Sequence, residues 1–280
     1  MGDQDEHHIE GRKKGNNELG ETQEDENNEG EILVEDEPPI IDLSDYFVKP
    51  DQFEGIHILD EKMEILAGAP NFRQLPGFPI FGTGQPTESA IIDILKRTKN
   101  GKEAPKVIWF KMRQEPVVYV DGSPYAPRAP DSPHGNLPPI SMDSTQLKIM
   151  SKHLTTVLKK RMIASGDNTI EIHKDKNYSE NPMERVDMAE KIPVKSIKEF
   201  ESILKESAEE SGVNLVFVNV PIGEDQASFA LIFDNIISAL KDERASTPCV
   251  FSAQMGRGRT TLGMAAACLI KEIQLTQDLK

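Results

Sequence analysis

Val250-Phe251-Ser252-Ala253-Gln254-Met255-Gly256-Arg257-Gly258-Arg259-Thr260-Thr261-Leu262-Gly263-Met264 runs from an apolar strand through a glycine turn into a helix. The helical character continues to Ile270. A strand, a glycine-rich turn and a helix N-terminus together make a site for an anion. Successive N–H groups point inward, and the helix dipole adds partial positive charge. Arg259 adds a planar donor able to clamp two oxygens of a phosphate.

Other phosphate loops fit the segment poorly. A Walker-type loop needs Gly-x4-Gly-Lys followed by Ser or Thr. Here Gly258 is followed by Arg259, and the loop holds no Lys. A dinucleotide fingerprint needs a third glycine where Thr261 stands. A purely structural glycine turn is the remaining alternative. It gives no reason for Arg257 and Arg259 to flank Gly258.

Charge divides the chain. From Met1 to Phe47 there are 16 Asp and Glu against 3 Lys and Arg, a net of −13 out of the chain's −15. Residues 3–37 hold few large apolar side chains, so burial cannot offset the entropy of ordering them. Residues 1–45 therefore read as a disordered acidic tail, either a solubilising arm or a docking segment for a basic partner. Residues 46–280 are long enough for one sizeable core. Cys249 and Cys268 are the only cysteines. With no secretory leader apparent, they suggest a reducing, intracellular and cytosolic setting. No run of 18 apolar residues is present, so no transmembrane segment is expected. The basic residues are scattered, which argues against nucleic acid. The six histidines lack metal-ligand spacing. Neither a metal nor a cofactor is expected.

Strands and helices alternate along the second part. Strands are expected at Tyr46–Val48, Ile56–Leu59, Phe78–Gly82, Lys106–Lys111, Pro116–Val120, Thr169–His173, Asn214–Val220 and Pro248–Ser252. Helices are expected from Gln85 to Lys99, from Leu147 to Ile163, from a Ser196–Glu199 capping box to Ser211, and from Ala227 to Leu240. The last of these carries Phe229, Ile232, Phe233, Ile236 and Ile237 on one face. Pro124 to Pro139 reads as a proline-rich loop, and Asp175 to Lys191 is polar and unassigned. The alternation implies an α/β layered domain with a largely parallel sheet.

The segment Ser252 to Thr261 resembles the signature loop of the tyrosine-phosphatase superfamily, in its phytase-like inositol phosphatase branch. Further segments resemble the same branch, in the same order. They are Ala69-Pro70-Asn71-Phe72-Arg73-Gln74, Phe81-Gly82-Thr83-Gly84-Gln85-Pro86, Lys106–Trp109 with Arg113-Gln114-Glu115-Pro116, and Val220-Pro221. The resemblance spans about Tyr46 to Lys280. It implies a three-layer cysteine-phosphatase-like fold with a mostly parallel central sheet. Its most similar members carry the domain twice, so this chain is expected to hold one copy, shortened at its C-terminal end.

The resemblance also implies roles. The family's nucleophilic Cys occupies the position of Ala253, six residues before Arg259. Arg259 would clamp the phosphate, with Gln254, Met255, Gly256, Arg257 and Gly258 forming the cradle. Thr260 would supply the hydroxyl that orients the nucleophile. The general acid would be Glu224 or Asp225, after the preceding strand; two solvated acids at a helix start are the alternative. Arg73 and Arg113 could line the pocket or form surface salt bridges. Cys249 lies within a strand and is expected in the core, as is Cys268.

With Ala253 there is no nucleophile, so turnover is left open. The leading expectation is phosphate binding without hydrolysis. The ligand expected first is an inositol phosphate or phosphoinositide, and second a phosphotyrosine. An active phosphatase whose Cys was replaced at 253, and a signalling scaffold acting through the acidic tail, are the alternatives.

Overall fold

The structure of the chain, a computed structural model, describes residues 38–51, 65–99, 105–137, 142–178, 181–223 and 229–278. Residues 1–37 of the acidic segment, the strand expected at Ile56–Leu59 and the pair Glu224–Asp225 lie outside the described residues. In chain order the first elements are β1 (Phe47–Pro50), β2 (Arg73–Gln74), β3 (Ile80–Thr83), α1 (Glu88–Lys99), β4 (Lys106–Lys111), β5 (Val118–Val120), β6 (Ser123–Arg128) and α2 (Ser144–Ser165). They continue with β7 (Thr169–Tyr178), β8 (Asn181–Pro193), β9 (Ile197–Glu199), α3 (Phe200–Ser211), β10 (Asn214–Asn219), α4 (Phe229–Leu240), β11 (Cys249–Ser252) and α5 (Gly258–Asp278).

The central sheet has the order β10-β4-β11-β3-β2. β10, β4, β11 and β3 are mutually parallel, and β2 is antiparallel to β3. Its strands are apolar on both faces because helices cover both. Side chains alternate between the faces. Phe81, Val107, Trp109 and Val250 meet Ile91, Ile94, Ile203 and Leu204 of α1 and α3 on one side. Ile80, Ile108, Phe110, Cys249 and Phe251 meet Ile232, Ile236, Leu240, Met264 and Ala267 of α4 and α5 on the other. The domain is therefore a three-layer α/β/α sandwich. β11 ends in register with β3 and β4, pairing Ser252 with Thr83 and with Lys111. The loop after β11 thus emerges at the carboxyl edge of the parallel strands, where open α/β sheets bind ligands.

A second sheet, antiparallel and ordered β1-β6-β5-β9, packs against α2. β5 and β6 turn at Asp121 and Gly122, whose φ angles of 47° and 77° fit a two-residue hairpin turn. Three expectations change in this region. The proline-rich loop begins later than expected, because Ser123–Arg128 forms β6 between β1 and β5. Pro124 has no N–H to give to the ladder, and its carbonyl accepts from Asp51 N at 2.8 Å. Ser196 does not open a capping box. Its N–H donates to Asp121 Oδ1 at 2.8 Å, Ile197–Glu199 pairs with β5, and α3 starts at Phe200 without a side-chain cap. Strand pairing competes with capping here and wins. The unassigned polar stretch forms the β7–β8 hairpin, whose buried Ile170 and Ile172 flank exposed Glu171. In α4, Ile237 is 44% exposed and does not share the inner face of Ile232 and Ile236.

Phe110 and Phe251 stack at 4.6 Å between centroids, joining β4 to β11 beneath the loop. Phe251→Ala should destabilise the domain by about 3–5 kcal/mol through lost burial and the cavity left behind. Urea unfolding measures this, and a loss under about 1 kcal/mol would contradict a central role for β11.

Candidate functional site: a glycine loop with outward-facing carbonyls

The loop 253–257 leaves β11 and enters α5, a helix of 21 residues. Its carbonyls are bound from outside. Gln254 O accepts from Gln85 N at 2.9 Å. Met255 O accepts from Asn71 Nδ2 at 2.7 Å, and Gly256 O from Arg73 Nη1 at 2.6 Å. A trans peptide holds its C=O and the next N–H on opposite sides. The N–H groups of Met255, Gly256 and Arg257 therefore face away from these partners, toward the concave side. The dipole of α5 points the same way.

Each outer partner is itself held. Asn71 is buried with a φ of 51°, a left-handed conformation that Asn adopts more readily than most residues. Arg73 also donates to Asn71 O at 2.9 Å and Thr261 Oγ1 at 2.8 Å, and burial lowers its pKa. Gly256 has a φ of 74°, and a Cβ there would stand 2.4 Å from Gly84 N. Only glycine fits that position.

Arg259 is anchored through one nitrogen. Its Nη1 donates to both oxygens of Glu115 at 3.2 Å and to Ile222 O at 2.9 Å. The other edge of the guanidinium, Nε and Nη2, takes no partner among the described residues. Glu115 also accepts from Arg113 Nε at 3.1 Å. Arg113 is fully buried and pairs with Asp51. Burial pushes the Glu115 carboxyl up, but Arg113 and then Arg259 outweigh it, and its pKa is lowered from the ordinary 4.5.

Ala253 is 2% exposed, and its N–H donates to Thr83 O at 3.3 Å. Thr260 is buried, and its hydroxyl donates to the same carbonyl at 3.2 Å. Gln254 is buried and turns away from the cradle. Its Nε2 donates to Asp51 Oδ1 at 3.1 Å and to Asn136 Oδ1 at 2.9 Å, while Asn136 Nδ2 returns a bond of 2.8 Å. Gly258 opens α5, and Arg257 is exposed at the rim. Arg73 bonds the loop directly, and Arg113 is linked to it through Asp51 and Glu115; among the described residues neither forms a surface salt bridge. Cys249 lies in the core beneath the loop, where burial pushes its thiol up to about 11. Cys268 is only partly buried. Glu224 and Asp225 are outside the described residues, but Ile222, two positions before Glu224, reaches Arg259.

Sequence reasoning gave no individual role to Asp51, Asn71, Gln85, Glu115 or Asn136. Three of these lie in the segments already singled out: Asn71 and Glu115 stand two residues from an arginine, and Gln85 follows Gly84. Asp51 and Asn136 lie outside those segments.

A family model described as PTP-like phytase, inositol hexakisphosphate, matches residues 110–271, more than half of the chain. The chain belongs to the PTP-like phytase family. Paladin from Homo sapiens is 29% identical over 232 residues, covering 75% of this chain and 26% of that protein. Paladin from Gallus gallus is 26% identical over 209 residues, covering 71% and 21%. The chain spans about a quarter of the length of these curated relatives. A solved structure with the same fold is the PTP-like myo-inositol phosphatase from Mitsuokella multacida in complex with myo-inositol-(1,3,4,5)-tetrakisphosphate. Its TM-score is 0.52 at 15% identity, over 81% of this chain and 37% of that one.

Two outcomes test the geometry. Gly256→Ala should cost about 1–3 kcal/mol from its left-handed backbone alone, and more from the clash, seen as a lower Tm. Glu115 has a lowered folded pKa, so its contribution is present above the ordinary 4.5 and is lost as pH falls through the folded value. Stability should therefore drop below about pH 4.5, and Glu115→Gln should flatten that part of the profile.

Proposed function

We propose that the domain binds a phosphate monoester in the loop 253–259 and, with Ala253 in the nucleophile's place, does not hydrolyse it. The observation that carries this reading is the outward anchoring of three consecutive loop carbonyls by Gln85, Asn71 and Arg73. The N–H groups on the other side, with the open edge of Arg259, suit the oxygens of a phosphate. An inositol phosphate or phosphoinositide is the favoured ligand class, since the family model is described by inositol hexakisphosphate. Phosphotyrosine comes second. The domain acts in the cytosol and uses no metal or cofactor.

A cysteine at 253 would complete a known chemistry. Its thiolate, favoured by the loop N–H groups and the helix dipole, attacks phosphorus as the ester oxygen leaves. Glu224 or Asp225 would protonate that oxygen. Water then cleaves the cysteinyl phosphate and regenerates the thiolate. Alanine removes the covalent step and keeps the donors. It also removes a negative charge that would oppose a dianion.

The chain as it stands should release no phosphate from phosphoinositides or an aryl phosphate, whereas Ala253→Cys should. Turnover by the unaltered chain at the rate of the Cys variant sinks the inactive reading. Arg259→Ala should weaken phosphate binding by about 1.5–3 kcal/mol, roughly 10- to 150-fold, in calorimetric titration. An unchanged affinity would remove the arginine from the site.

A further inference from the structure

β4 ends in a residue that a covered strand rarely holds. Lys111 is 4% exposed, and its register partners are Asn219 of β10 and Ser252 of β11. Side chains alternate along β4, so Lys111 shares the α1 and α3 face with Trp109. Among the described residues its Nζ forms no hydrogen bond and no ion pair. An unpaired ammonium group is costly in such a place, and losing its proton relieves the cost. Burial accordingly lowers the Lys111 pKa to about 7; Arg113 adds to the fall, while Glu115, Glu201 and Glu199 oppose it. At neutral pH about half of the molecules then carry a free amine here. An exposed lysine, ordinarily near 10.4, is in that form roughly a thousandfold less often.

The amine is not sealed off. It lines a cavity of about 20 Å³ that opens to solvent, walled also by Lys148 and Ser151 of α2, Phe200 and Glu201 of α3, and Asn219. Such a volume admits a water or a reagent little larger. α3 starts at the same cavity without a side-chain cap, so the N–H groups of its first turn and the positive end of its dipole are available there. Asn219 Oδ1 is buried and has no partner among the described residues.

These features select a reagent. A neutral lysine is a nucleophile. The narrow entry excludes thioesters and sugar aldehydes. Carbon dioxide is small and uncharged, so it enters without losing a hydration shell. It becomes an anion only on bonding, beside Lys148 and a helix N-terminus.

We propose that Lys111 is a carbamate site, at which carbon dioxide adds reversibly to the Nζ amine. The nitrogen lone pair forms the N–C bond, one C=O π pair moves onto oxygen, and the proton displaced from nitrogen passes to water. Nothing is oxidised or reduced. Lys148 and the first turn of α3 are the donors to the carbamate oxygens. Glu201 opposes the adduct, because it favours the ammonium form of Lys111 and repels the new anion. The glycine loop plays no part, so this site stands or falls apart from what the loop binds.

The test equilibrates the full chain with isotopically labelled bicarbonate under carbon dioxide near neutral pH. Carbamates are fixed as esters with a trialkyloxonium salt and mapped by peptide mass spectrometry, and parallel samples are read by carbon NMR. The ester on the peptide carrying Lys111 should exceed that on any peptide with exposed lysines by at least about tenfold, given the difference in free amine. Lys111→Met should remove one carbamate resonance, and Glu201→Gln should raise that resonance several-fold. An ester absent from Lys111, or no more abundant there than on exposed lysines, overturns the proposal. So do resonances unchanged in Lys111→Met, or no increase in Glu201→Gln. If either variant fails to fold, the peptide map of the unaltered chain decides alone.

Discussion

A backbone loop can present several N–H groups to one point only if its carbonyls are satisfied somewhere else. That constraint governs this molecule. The carbonyls of Gln254, Met255 and Gly256 each receive a donor from a different residue: Gln85 in the segment between β3 and α1, Asn71 in a left-handed conformation, and Arg73 in β2. A buried carbonyl without a partner is costly, so these donors fix the peptide planes rather than decorate them. Gly256 then has no latitude, because Gly84 lies where its Cβ would be. The short antiparallel strand β2 has an evident purpose in this light: it carries Arg73 to the loop.

A second constraint is charge. Arg113 is fully buried, which is unfavourable for a guanidinium unless it is paired and hydrogen-bonded. Asp51 and Glu115 supply the pairing, and Glu115 extends it to Arg259. Arg259 is thus held through a carboxylate that is itself held by another arginine. Breaking one member leaves an unpaired buried charge. Gln254 connects this network to the loop through Asp51. The cradle and its arginine are coupled parts of one polar layer above the sheet.

Much of this was legible in the sequence, for identifiable reasons. Val107 to Phe110 and Val250 to Ser252 are apolar runs that only a sheet covered on both faces would use, and the helices α1, α2 and α3 declared themselves by spacing or by glycine stops. The segments around Asn71, Gln85, Arg113 and Val220 were visible as separate stretches. Their convergence was not, since nothing in a linear pattern states which carbonyl a side chain will reach. Ser196 misled because a capping box is a local preference, and pairing of Ile197–Glu199 with β5 is a tertiary one. The β7–β8 hairpin was obscured by its charges: Lys174, Glu190 and their neighbours solvate an outer face whose period of two is easily read as loop.

The donors that shape the loop all come from outside it, and none of them is residue 253. Ala253 contributes a buried methyl group and an N–H bonded to Thr83 O, and Thr260 closes onto the same carbonyl. Shape and nucleophile are therefore separable in this architecture. A chain can lose the group that attacks phosphorus while every contact that orients the cradle survives. On the proposed reading, that separation is why such a site would persist as a binder. The features that make a good anion site are also those that bury Arg113, strain Asn71 and leave glycine no alternative at 256. They would be removed together with the fold's polar layer, not one at a time.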